Sequence, residues 1–211
     1  MKRTLLTALM GTAAAVSALA QGTLNFDNFV DPTASKPIYN SNPTSPTVQQ
    51  TGQSPTGTPA GSTVYGGPLL QDPTGLRYIA QLWAGPAGVV DSTTLTLQTS
   101  SPFAYQGAGN VFPAGIFAEV DGVVINGVAA GSSATLQIRA FDICDPLTAG
   151  ASALFASGAL GGNSPGGPVI PPDTAAQAGF TSFSLVLVPE PGTFALAGLG
   201  AAVLFIFRRR R

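Results

Sequence analysis

Two stretches of the chain alternate apolar and polar residues with the period of a β-strand. In Leu76–Ala84, Tyr78, Ala80 and Leu82 fall on one side and Arg77, Ile79, Gln81 and Trp83 on the other, before Gly85-Pro86 breaks the pattern. In Thr135–Ile143, Leu136, Ile138 and Ala140 alternate with Gln137, Arg139 and Phe141. Shorter versions recur elsewhere. Leu24, Phe26 and Asn28 alternate within 22–30, Leu95 and Leu97 stand among threonines, and Ile116–Val120 reads as a short strand. Near the end of the patterned region, Phe183, Leu185 and Leu187 alternate with Ser182, Ser184 and Val186. Asp121-Gly122 and Asn126-Gly127 are dipeptides that favour tight hairpin turns, so turns are expected at both. Only Ala149–Leu160, rich in alanine though interrupted by glycine, reads as a short helix. Many short strands separated by Gly, Pro and Asn predict an all-β domain, an antiparallel β-sandwich of jelly-roll-like kind.

Residues 31–75 break this texture. Proline recurs at 32, 37, 43, 46, 55, 59, 68 and 73 among Ser, Thr, Gln and Gly, with few apolar residues. Such a stretch cannot bury enough surface to offset its ordering entropy. It is expected to be a disordered insertion or arm, with at most a short strand near Ile38-Tyr39. The Ser/Thr cluster of 41–63 offers sites for O-glycans, although a plain linker accounts for it as well.

The two ends follow other rules. Lys2 and Arg3 precede an apolar run from Leu5 to Val16, and Ala18-Leu19-Ala20 forms an A-x-A cleavage site before Gln21. Residues 1–20 are therefore expected to be a cleaved signal helix, handled by the Sec translocon and signal peptidase. Toward the C-terminus, Pro189 and Pro191 stiffen an extended elbow, an uncharged apolar run spans 193–207, and Arg208, Arg209, Arg210 and Arg211 close the chain. From Pro191 the run is long enough for a helix of roughly 26 Å, the short end of a membrane span. The arginines should stay cytoplasmic. This gives residues 21–188 as an ectodomain and 189–211 as a tail.

Pro189-Glu190-Pro191, the apolar helix that follows and the terminal arginine cluster together resemble the PEP-CTERM sorting signal of Gram-negative bacteria. The resemblance covers residues 188–211. It implies recognition of the tripeptide and helix by exosortase, a membrane-embedded cysteine protease and transpeptidase. It also implies a transient inner-membrane intermediate and delivery to the cell surface or extracellular matrix, usually in species that make exopolysaccharide. Gln81–Pro86 and Leu136–Asp142 are similar to segments in ectodomains of PEP-CTERM proteins from Verrucomicrobia-like bacteria, a resemblance that implies a shared sandwich and no particular activity.

Charge refines the picture. The whole chain carries a net −1, but most of its basic residues belong to the two ends. The ectodomain keeps Lys36, Arg77 and Arg139 against nine carboxylates, a net −6. That balance argues against nucleic acid and anionic lipid as partners. Histidine is absent, which removes the common triads and most zinc sites. The single cysteine, Cys144, is expected to be a buried thiol.

Candidate chemistry is sparse. Glu119 and Asp121 could form the carboxylate pair of a glycosidase, but their place beside Gly122 suits turn acids better. Asp142 and Asp145 could offer oxygens to calcium, though solvated turn acids are the simpler account. Tyr78, Trp83, Phe103, Tyr105 and Phe112 could stack on sugars if exposed on one face, with Trp83 and Tyr78 the leading candidates. As the only tryptophan, Trp83 is otherwise expected to fill the core. No cofactor, metal site or catalytic residue is expected. The expected function is that of a non-catalytic exported protein associated with exopolysaccharide; the alternatives are a carbohydrate-binding module or a secreted glycoside hydrolase.

Overall fold

The computed structural model describes residues 21–30, 35–40, 69–72, 77–103, 114–145, 147–164 and 166–187. Within them the chain is all-β, with one 3₁₀ turn at Ser92–Thr94. The strands are β1 (Gln21–Phe26), β2 (Tyr78–Pro86), β3 (Thr96–Pro102), β4 (Val120–Ala129) and β5 (Ala134–Asp142). After them come β6 (Thr148–Ala151), β7 (Phe155–Ala156), β8 (Gly162–Ser164), β9 (Gly167–Val169) and β10 (Val186–Leu187). The main sheet runs β10-β6-β5-β2-β3, with β7 also on β5, and β1-β4 and β8-β9 form two-stranded ribbons. All strand pairs are antiparallel.

The two strongly alternating stretches became the centre of this sheet. β2 and β5 pair along their whole length, Tyr78 opposite Asp142 and Pro86 opposite Ala134. Because side chains alternate faces, Tyr78, Ala80, Leu82 and Ala84 point inward with Ala134, Leu136, Ile138 and Ala140. The β1-β4 ribbon supplies Leu24, Phe26, Val123, Ile125 and Val128 to the same core. Ribbon and sheet thus form two layers around one apolar interior. Each large aliphatic side chain buried there stabilises the fold by roughly 1.5–3 kcal/mol. Among the described residues the strands divide six, two and two, in keeping with the expected all-β, antiparallel fold.

Several expectations change. Asp121-Gly122 and Asn126-Gly127 are not hairpin turns; both lie inside β4. The register slips there, with Phe26 facing Val120 but Leu24 facing Val123, and Gly22 facing Ile125 but Gln21 facing Ala129. Gly122 and Gly127 take φ of 62° and 78°, so the dipeptides make bulges that bend one long strand. Ala149–Leu160 is not a helix either, since β6 and β7 lie within it and pair with β5. Pairing with an exposed sheet edge outweighs alanine's weak preference here.

The Pro-rich segment is ordered at both described ends. Ile38 and Tyr39 are buried, as is Leu70, and Tyr39 bridges both Leu69 and Ser184. Buried Asn28 holds this region, its amide donating to the Lys36 carbonyl (3.1 Å) and the Gly115 carbonyl (2.8 Å). Its side-chain oxygen accepts from the Phe117 N–H at 3.1 Å. Residues 41–68 lie outside the described residues, as do the signal segment 1–20 and the tail from 188. Among the described residues no helix is long and apolar enough to cross a membrane.

Candidate functional site

The outward face of the main sheet carries the first candidate site. Period-two alternation sends Gln81 and Trp83 of β2 out beside Arg139 and Phe141 of β5, all only partly buried. The register sets them in rows across the strands. Gln81, Arg139 and Ala151 form one row, and Ile79, Phe141, Ala149 and Val186 the next. Long side chains on β2 and β5 thus stand beside small ones at 149–151 of β6. The step in height makes an open trough of about 560 Å³, mostly apolar, with Gln81, Trp83 and Arg139 along it.

Arg139 is the polar centre of this face. Its guanidinium carbon lies 4.0 Å from the centre of the Trp83 ring, a cation–π contact. Nε–H donates to Gln137 Oε1 at 2.8 Å, and Nη2–H to the Ser92 carbonyl at 2.7 Å. Trp83 Nε1–H donates to Gln81 Oε1 at 3.0 Å. Partial burial draws the Arg139 pKa below its ordinary value, although an arginine stays charged. The one ion pair among the described residues is Arg77–Asp142, so Arg139 has no carboxylate partner there. Trp83 is thus on the outer face rather than in the core.

Tyr78 is a correction in the other direction. It is 3% exposed, with its ring 6.2 Å from Phe103 in an edge contact, so it cannot stack on a sugar. Phe103 is buried with it, and Tyr105 and Phe112 lie outside the described residues.

A second cluster is acidic. Asp27 after β1, Glu119 before β4 and Asp173 after β9 bring carboxylate oxygens within 4.8 Å of one another. Asp27 is 2% exposed. Its Oδ1 accepts from the Ala175 N–H (2.8 Å) and the Thr174 hydroxyl (3.0 Å). Asn25 Nδ2–H donates to Asp173 Oδ1 at 2.8 Å, and the Gly122 N–H donates to Asn25 Oδ1 at 3.1 Å. Burial pushes the Asp27 carboxyl up to about 6, partly offset by the hydrogen bonds it accepts. Burial also raises Glu119, with the neighbouring Asp121 carboxylate adding to it. Three oxygens so placed are of the type that a hard cation such as calcium takes. Sequence reading missed this set, because its members lie far apart in the chain and no local spacing marks them.

The acids singled out from sequence do other work. Asp142 is not a solvated turn acid: it is 1% exposed and bonds Arg77 at 2.8 Å. Its other oxygen accepts from the Cys144 N–H at 2.9 Å. Asp145 does act as a turn acid, accepting from the Leu147 N–H (3.2 Å) and the Thr148 hydroxyl (2.8 Å). Cys144, expected to be buried, is exposed, because β5 ends at Asp142 and the chain turns outward after it.

Of the expected signal-cleavage residues, Gln21 opens β1, while Ala18 and Ala20 lie outside the described residues. Pro189, Glu190, Pro191 and Arg208–Arg211 lie outside them as well.

Compared with known families, residues 187–211 match the PEP-CTERM protein-sorting motif. The motif begins at Leu187, the last residue of β10. No curated protein and no solved structure matches the chain.

Proposed function

We propose, from the PEP-CTERM sorting motif that this chain carries, that it is a non-catalytic surface or matrix protein whose β-domain works among extracellular polysaccharide. The motif implies an exported protein processed by exosortase. A signal peptide at 1–20 would open export through Sec, the run 193–207 would hold the chain in the inner membrane, and Arg208–Arg211 would fix its orientation. The observation that carries the reading is the place of the motif, which starts where the last described strand ends. A sorting enzyme therefore meets its segment directly beyond a folded domain.

The sparse acidic surface of 21–188 supports work in a hydrated polysaccharide rather than on nucleic acid. Glu119 does have acidic neighbours, but Asp27 beside it is buried and holds backbone and hydroxyl donors. That arrangement favours a structural use over glycoside hydrolysis, in which both carboxylates must reach the scissile bond.

Replacing Pro189, Glu190 and Pro191 with alanine should leave the protein at full length in the inner membrane. Release and shortening of that variant as in the wild type would overturn the sorting reading. Cleavage of a polysaccharide by the wild type but not by Glu119→Gln would overturn the non-catalytic one.

A further inference from the structure

We infer that the trough on the outer face of the main sheet binds an anionic glycan, with Arg139 taking a sugar carboxylate and Trp83 and Phe141 giving the apolar wall. This rests on the reading of the domain as a polysaccharide-associated one and names its ligand class and site. The trough is open, as a chain passing along it requires, and its volume of about 560 Å³ falls in the range of sites for small ligands. Its floor is low because β6 carries only small residues at 149–151. Sugar rings present flat C–H faces to such a surface and hydroxyls to its rim, where Gln81 carries an amide.

Charge chooses among glycans. The exported part is acidic overall, and Arg77 is already paired with Asp142. Arg139 has no carboxylate within reach among the described residues, and only two of its five N–H donors are taken by the protein groups named above. The Trp83 ring and the Gln137 and Ser92 oxygens fix the plane of the guanidinium before any ligand arrives. A planar, pre-set fork of this kind matches a carboxylate. A neutral sugar would leave the charge partly desolvated and unpaired.

The reporter is built in, since Trp83 is the only tryptophan of the chain. The full chain, purified in detergent, is titrated with oligogalacturonate and, separately, with a neutral cello-oligosaccharide of equal length, and Trp83 emission is followed. The acidic oligomer should shift the emission at a concentration about tenfold lower than the neutral one. Arg139→Gln should remove that preference while its melting temperature stays close to wild type. Ala149→Leu, which fills the floor in the row of Phe141 and Val186 rather than in that of Arg139, should abolish both titrations.

No emission change with the acidic oligomer, equal response to both oligomers, or an unchanged preference in Arg139→Gln would overturn the inference. So would an emission change on diluting the protein alone, which would assign the face to a second copy. A changed emission on deleting 41–63 without glycan would assign it to that segment instead. Failure of any of these leaves the alanine test of the sorting motif untouched, because that test reads location and length.

Discussion

Asp27 and Thr174, 147 residues apart, are joined through a single hydroxyl. Thr174 Oγ1 accepts from the Asp27 backbone N–H at 2.8 Å and lies 3.0 Å from the Asp27 carboxylate. This contact ties the segment after β9 to the end of β1, inside the protein. Thr174→Val keeps the volume but leaves a buried N–H without an acceptor. A loss of about 2–3 kcal/mol is expected by urea unfolding, with Thr174→Ser recovering most of it. A Val variant as stable as wild type would show that the link carries no energy.

The Asp27 carboxyl gives stability a pH dependence of definite sign. Its pKa rises from an ordinary 3.8 to about 6 on folding. The folded protein therefore holds this proton more tightly than the unfolded chain. The stabilisation is fully present below about pH 4 and is lost as the pH rises through about 6, a span of ~3 kcal/mol at most. Asp27→Asn should flatten the curve of unfolding free energy over that window relative to wild type. Parallel curves for the two proteins would refute the assignment.

Gly150 lies where β6 meets the chain just before β10. A Cβ there would come 2.5 Å from the Ser184 carbonyl oxygen and 3.2 Å from Leu185 Cα. Both are backbone atoms, so relief requires the last strand to move. Gly150→Ala should destabilise by roughly 1–3 kcal/mol and increase amide exchange first at residues 184–187. Exchange unchanged at those residues would argue that the edge adapts without cost.

Cys144 should react fully with a maleimide in the native state, without denaturant, because the thiol is exposed. Reaction only after unfolding would restore the buried thiol that the sequence pattern suggested.

How far the sequence could be read depended on whether the physics was local. β2 and β5 were legible because an inward and an outer face alternate along each strand, although Thr135 and Gln137 on the outer side of β5 are themselves buried. That parity already placed Tyr78 and Trp83 on opposite faces, which should have ruled out a joint sugar platform. Tertiary pairing was harder to see. Alanine-rich 149–160 followed the edge of β5, and two Gly dipeptides became bulges because β1 was available to pair on both sides of them. The Asp27–Glu119–Asp173 cluster joins three separate segments, so only the folded chain reveals it. The sorting motif is the opposite case. An enzyme reads it as a linear stretch, and so can a reader of the sequence.

The edge position of β10 has a mechanical meaning. Among the described residues, Val186 and Leu187 are those of β10 that pair with β6, while Phe183 and Leu185 just before them are sunk in the core. A tug on the chain beyond Leu187 would peel two residues away like the loose end of a seam, giving roughly 7 Å of slack. It would then stop at Leu185, where further travel means pulling an aliphatic side chain into water. The domain can hand its sorting segment a little extra reach and stay folded while it does so.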